Sequence, residues 1–255
     1  MKKLLSLLAA SLLLGCVSVA DAGHTVDVSV INRSTGEHLQ TWRHEGKLYV
    51  AGRPGDRYAV ELNNLSGGRV LTVLAVDGVN VISGQTAAAS QSGYVLDPGQ
   101  RSEIAGWRKS MDEVAAFYFT ALPDSYAART GRPDNVGVIG VAVYREYVEP
   151  RVAYEAQAMS KVAPAAPMAS PQSSGAARDE AARAQPKEER LGTGHGERIA
   201  APTQNTEFRR ASSRPSEVIA IYYDSHANLV ARGVIPAPHR QPQPFPGGFV
   251  PDPRS

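Results

Sequence analysis

Residues 25–30, Thr-Val-Asp-Val-Ser-Val, alternate polar and apolar positions. That period of two is the mark of a half-buried strand. Residues 39–43 and 47–50 read as the next strands. Gly52-Arg53-Pro54-Gly55-Asp56 is a turn cluster, in which Pro presets φ and Gly permits positive φ. Tyr58, Val60 and Leu62 then share one face of a further strand, before the turn at Asn63-Asn64-Leu65-Ser66-Gly67-Gly68. Residues 70–76 are apolar at nearly every position, Asp77-Gly78 follows, and residues 79–82 return. Asp-Gly between β-branched runs predicts a type I′ hairpin, whose two central residues both need positive φ. The unbroken apolar run predicts a strand that is central or covered on both faces.

Residues 84–92 are small and polar and predict a loop. Strands are expected at 94–96 and 102–107, flanking Asp97-Pro98-Gly99, and at 114–120. Within 123–135, residues 125–130 predict a short helical turn ended by Gly131. Residues 136–144 form a glycine-interrupted strand. Val138, Gly140 and Ala142 give it one small-residue face, where a close neighbour is expected. From 150 to 190 the composition turns to Ala, Pro, Ser, Gln and mixed charge, the signature of a disordered linker. Strand pattern returns at 218–223 and 229–233, read as a hairpin joined by 224–228. A lone hairpin is marginal in water, so this segment, 191–235, is expected to dock on the main sheet. Tyr222 and Tyr223 should then point to opposite faces. Residues 236–255 form a Pro-rich, disordered tail. Together these features predict an all-β fold: one antiparallel β-sandwich-like domain, with residues 23–149 as its main part.

The N-terminus changes the picture of compartment. Lys2 and Lys3 precede an apolar run over 4–14, the pattern of an export signal. Ala20-Asp21-Ala22 places cleavage before Gly23, making 1–22 the signal peptide. Leu13-Leu14-Gly15-Cys16 offers the alternative of a lipoprotein signal over 1–15, with Cys16 lipidated. The first gives a periplasmic or secreted protein, the second an outer-membrane lipoprotein. The run stops at Asp21, short of the roughly 20 apolar residues of a membrane-spanning helix, so no transmembrane span is expected in the mature chain.

Composition narrows the chemistry. Cys16 is the only cysteine, so no internal disulfide and no thiolate metal site is available. Lys and Arg total 27 against 25 Asp and Glu, which gives no basic field for nucleic acid. No Gly-x-Ser-x-Gly elbow occurs, and His24, His38, His44, His195, His226 and His239 have no triad setting. There is no His-x-His pair or His-Glu-x-x-His helix. His195 and Glu197 would face one way in an extended segment, but two donors fall short of the usual three or four. Gly192-Thr193-Gly194-His195-Gly196 lacks the ending of a phosphate loop, and is read as a flexible re-entry loop. No catalytic residue, cofactor or metal ligand is assigned.

The binding candidates are Trp107, Arg108, Asp77 and Asn80. Trp and Arg are enriched at interaction hot spots. The competing reading puts Trp107 in the core with the Arg108 stem along its edge, and makes Asp77 and Asn80 turn-formers.

Several phrases, among them Ser92-Gly93-Tyr94-Val95-Leu96-Asp97-Pro98, Ala105-Gly106-Trp107-Arg108-Lys109-Ser110, Gly131-Arg132-Pro133-Asp134-Asn135-Val136-Gly137 and Leu191-Gly192-Thr193-Gly194-His195-Gly196, resemble those of an uncharacterised family of exported proteobacterial β-rich proteins. The resemblance implies export and one domain interrupted by a variable linker. It brings no chemistry.

The expectation is therefore an exported envelope protein that binds through loops or a sheet edge, with an envelope protein or cell-surface ligand as partner. The alternatives are an envelope enzyme assembled around Asp77, Trp107 and Asp124, and an assembly or chaperone-like factor.

Overall fold

A computed structural model describes residues 25–149 and 190–237. Residues 1–24, which include the expected signal segment, residues 150–189 of the expected linker and residues 238–255 of the expected tail lie outside the described residues. In chain order the strands are β1 (Val26–Asn32), β2 (Thr41–His44), β3 (Lys47–Gly52), β4 (Arg57–Asn64), β5 (Val70–Val76), β6 (Val79–Asn80), β7 (Tyr94–Leu96), β8 (Arg101–Ile104), β9 (Gly106–Arg108), β10 (Glu113–Ala121), β11 (Val138–Arg145), β12 (Leu191–Ala200) and β13 (Glu217–Ser225). Two short α-helices, α1 (Tyr126–Arg129) and α2 (His226–Ala231), and two 3-10 turns, Leu122–Asp124 and Pro133–Asn135, complete the regular structure of the described residues.

The strands form a β-sandwich of two sheets. One has the order β1-β4-β10-β12, with β8 on β4 and β9 on β10. The other runs β2-β3-β13-β11-β5-β6, with β7 on β5. All pairings are antiparallel except β3 with β13, which is parallel and makes the second sheet mixed. The inner faces meet in one core. Tyr58, Val60, Leu62, Phe117 and Phe119 come from the first sheet, and Val50, Leu74, Ile139, Ile221 and Tyr223 from the second. Alternation explains it: inward residues recur every second position, as a pleated strand requires. β5 departs from alternation because it is covered twice. Val70 and Leu74 join the main core, while Leu71 and Val73 pack on the outer face with Ala142 and Tyr144.

The strands before and after residues 150–189 interlock. β12 forms the edge of the first sheet on β10, and β13 sits between β3 and β11 in the second. The 191–235 segment does not contain the expected hairpin of 218–223 with 229–233. Its Gly-rich start, expected as a loop, is the strand β12. The glycines open space for neighbours: a Cβ at Gly194 would stand 2.1 Å from the Tyr118 ring, and one at Gly192 2.6 Å from Ser125 Cβ. Residues 229–233, expected as a strand, fall mostly in α2. Ser225 caps that helix by accepting from the Asn228 N–H at 3.2 Å, and Leu229 buries itself beside Tyr49. Tyr223 is in the core, and Tyr222 lies on the outer face against that second cluster. At Gly140 the expected close neighbour is missing, since nothing lies within 4 Å of where a Cβ would stand.

One buried carboxylate joins these parts. Asp77 and Gly78 have φ of 53° and 70°, the hairpin geometry anticipated from Asp-Gly. The turn aims the Asp77 side chain into the protein, where it is fully buried. Its Oδ1 accepts from the Gly137 N–H at 2.9 Å and the Tyr223 hydroxyl at 2.5 Å, and its Oδ2 from the Thr193 N–H at 2.8 Å. The hydroxyl order follows from proton counting. Tyr223 gives its proton to Asp77, so the Thr193 hydroxyl donates to Tyr223 and the Tyr58 hydroxyl to Thr193, each over 2.6 Å. One chain of hydrogen bonds thus crosses from β4 through β12 and β13 to the β5–β6 turn.

Burial pushes the Asp77 carboxyl above its ordinary 3.8, outweighing the hydrogen bonds to Tyr223, Gly137, Thr193 and Val138 that pull it down. Burial likewise raises the Tyr58 and Tyr223 hydroxyls well above their usual range, so both remain protonated donors.

Asp77→Asn keeps the shape but turns an amide NH2 toward the Thr193 N–H. We predict a loss of about 1–3 kcal/mol, measured by denaturant unfolding. The sign of the pH dependence follows from the raised pKa. Stability from the neutral carboxyl is full below 3.8 and is lost as pH rises through the raised value. The wild-type advantage over Asp77→Asn should therefore narrow with rising pH, and a constant gap would refute this.

Candidate functional site

Between β12 and β13 the chain does not turn back on itself. Residues 201–216 run as an irregular strap, with one β-bridge at Arg210, from the end of the first sheet to the second. Pro202 holds Ala201 extended. At the start, the Ala201 and Thr203 N–H groups donate to the Asp112 and Met111 carbonyls at 2.7 and 2.8 Å. At the far end, Tyr147 N–H donates to the Arg209 carbonyl at 2.7 Å, and Ala211 N–H to that of Arg145 at 2.9 Å. Among the described residues, the backbone of 204–208 makes no backbone–backbone hydrogen bond. That middle is held by side chains. Phe208 packs on the Leu71–Val73–Tyr144 cluster, and Arg69 donates to the Thr206 hydroxyl and the Glu207 carbonyl at 3.1 and 3.2 Å.

Under the strap lies a cleft of about 480 Å³. Leu71, Ile82 and Phe208 are its apolar surfaces, residues 90–95 one wall, and Thr203 to Thr206 the other. The wall at 90–95 is brought close by two devices. Gly93 sits where a Cβ would stand 2.3 Å from the Thr72 carbonyl oxygen, so only glycine fits. Asn80 accepts from the Ile82 and Ser83 N–H groups at 2.8 and 3.0 Å and donates to the Ser92 carbonyl at 3.2 Å.

The four residues singled out in the sequence have separate places. Trp107 is fully buried, edge-on to Phe117, with its indole N–H unpartnered among the described residues. Asp77 is buried in the network described above, and Asn80 behind the cleft wall. Arg108 alone reaches the cleft. Its guanidinium donates to the Tyr94 hydroxyl at 3.1 Å and the Ala201 carbonyl at 2.5 Å, tying strap to wall. Opposite in sequence, Arg210 donates to the Gln91 carbonyl at 2.6 Å and lies 4.2 Å over the Tyr144 ring. Arg210, Phe208, Tyr94 and Gln91 were not singled out in the sequence. The one local sign was a lone Phe208 in a polar stretch beside Arg209 and Arg210.

A smaller cleft of about 290 Å³ is lined by Asp124, Tyr126, Arg129, Thr130 and His195. His195 lies 5.0 Å from the Tyr126 ring and is held below its usual pKa by partial burial and then by Lys109. Glu197, its sequence partner, pairs with Arg57 at 2.7 Å instead. Among the described residues no group of three His, Cys, Asp or Glu could hold a metal. No helix there is long and apolar enough to cross a membrane.

No family model, curated protein or solved structure matches this chain.

Arg108→Met removes the bond between wall and strap. Amide exchange at Ala201 and Thr203, read by NMR, should accelerate several-fold relative to β10 amides. Unchanged exchange would mean that Arg108 does not hold the strap.

Proposed function

We propose that this chain is an exported, non-catalytic binding module of the cell envelope, and that its ligand enters the cleft beneath the strap. The observation that carries this is the cleft itself. Its volume of about 480 Å³ lies within the range of ordinary ligand pockets, roughly 300–1,000 Å³. Apolar surfaces face polar ones across it, the usual division between holding a ligand and orienting it. Its lining has hydroxyls at Ser90, Ser92, Tyr94, Thr203 and Thr206 but no His, Asp, Glu or Lys to serve as a general base for them. The buried titratable groups elsewhere, Asp77, Tyr58 and Tyr223, spend their hydrogen bonds on one another and on Thr193. The charge-then-apolar pattern at the N-terminus, read as a signal peptide over 1–22 or a lipoprotein signal over 1–15, supports the compartment.

Two measurements test this reading. A panel of small aromatic and aliphatic fragments, followed by NMR, should shift Leu71, Tyr94 and Phe208. Asn205→Trp, which fills the cleft from the strap, should abolish those shifts. Hits that spare these residues would place the ligand elsewhere and refute the cleft. For the compartment, the intact mass of the protein from its native envelope should correspond to a chain starting at Gly23, or to one starting at lipidated Cys16. A mass retaining Met1 would refute export.

A further inference from the structure

The cleft carries an unbalanced charge. Two arginines line it, and no Asp or Glu does. Among the described residues neither Arg108 nor Arg210 forms an ion pair, whereas Arg57, Arg69 and Arg198 all have carboxylate partners within 4.0 Å. Both arginines are half-buried as residues. A partly desolvated cation without a counter-charge is costly, and a cleft with apolar walls strengthens its field.

The two arginines are not equally committed. A guanidinium has five N–H donors. Those of Arg108 are largely taken by the Tyr94 hydroxyl and the carbonyls of Ser110, Met111 and Ala201. The Arg210 side chain makes one hydrogen bond, to the Gln91 carbonyl, and its guanidinium carbon lies 4.2 Å over the centre of the Tyr144 ring. These two contacts hold the group in place, and its remaining N–H groups are uncommitted among the described residues. This is the preorganised fork that recognises a carboxylate or phosphate by two parallel hydrogen bonds. Asp112 and Glu207 flank the site in sequence, but neither lines the cleft, and Glu146, the β-bridge neighbour of Arg210, pairs with Arg69 at 2.6 Å.

We propose that the strap cleft takes an organic anion, a carboxylate or phosphate on a compact apolar or aromatic body. Arg210 grips the anionic group, Arg108 adds charge while holding the strap, and the body lies against Leu71 and Phe208. This inference rests on the cleft being the ligand site, and its test separates the two claims.

The probes are 2-naphthoate, 2-naphthylmethanol and 2-naphthylmethylammonium, which share one body and differ in charge. They are titrated into the full mature chain by NMR. Naphthoate should bind about tenfold tighter than the alcohol, the gain of one charge-assisted hydrogen-bond pair, and the ammonium more weakly than either. The preference should shrink as salt is raised. Arg210→Gln should erase it while leaving the alcohol's affinity within about twofold, which also reports that the cleft remains folded. Arg210→Lys should restore part of it, since it returns charge without the fork.

Equal binding of acid and alcohol would overturn the anion inference and leave the cleft standing. Binding by none of the three at millimolar concentration would overturn the cleft itself. A lipid headgroup presents the same chemistry as a free anion. Sedimentation of wild type, but not Arg210→Gln, with anionic phospholipid vesicles would assign the lipid source. Naphthoate binding without sedimentation would assign a free anion.

Discussion

The Asp77 carboxylate is where the two sheets and the two halves of the chain meet. It accepts from Gly137 ahead of β11, from the backbone of β12 and from the Tyr223 hydroxyl of β13. The last two partners lie 116 and 146 residues away along the sequence. β12 is an edge strand, and an edge presents unpaired N–H groups that invite pairing with another chain. Here two carboxylates cover part of that edge. Asp77 takes the Thr193 N–H, and Asp224 takes that of Leu191 at 3.3 Å. Asp224 also accepts from Ser225 and Asn228 at 2.8 and 2.9 Å, so the edge of one sheet is tied to the α2 start on the other. With Cys16 the sole cysteine, no internal disulfide can make this connection, and buried hydrogen bonds and core packing carry it.

The strap depends on the same anchor. It leaves β12 seven residues after Thr193 and enters β13 six residues before Tyr223, so both of its ends are set by strands that Asp77 holds. Arg108 then ties the start of the strap at Ala201, Arg69 its middle at Thr206 and Glu207, and Arg210 its far end to Gln91. This division of labour allows a cleft to exist under a segment with no ladder of its own. The rigid part lies in the buried network, and the adaptable part lies over the outer face, where a ligand has room.

Much of the sandwich was legible because burial acts locally. Alternation located β1 and β4, an unbroken apolar run located β5 as a doubly covered strand, and Asp77-Gly78 revealed its turn through the two positive φ angles it needs. The same residue's larger role was hidden, since nothing near Asp77 announces three donors that arrive from distant segments. Gly192 to Gly196 looked like a loop for a related reason. Glycine is a poor strand former by itself, and its fitness here comes from the Tyr118 ring and Ser125, which occupy the space of the missing side chains. Residues 229–233 looked like a strand because β-branching and apolarity are shared by short helices, and the Ser225 cap was the stronger signal. Arg108 was legible as a surface candidate, but Arg210 was not. Its significance comes from Tyr144 beneath it and from the absence of any acid in the cleft.

Hydrogen exchange at the β12 edge tests most directly the claim that carboxylates lock this strand into the fold. Residue-resolved exchange by NMR should find the Thr193 amide opening only with global unfolding, although it points away from the ladder with β10. The Leu191 amide should follow closely. Exchange of Thr193 at the rate of an ordinary open edge would show that Asp77 does not hold it, and would contradict the account of how the two halves of the chain are joined.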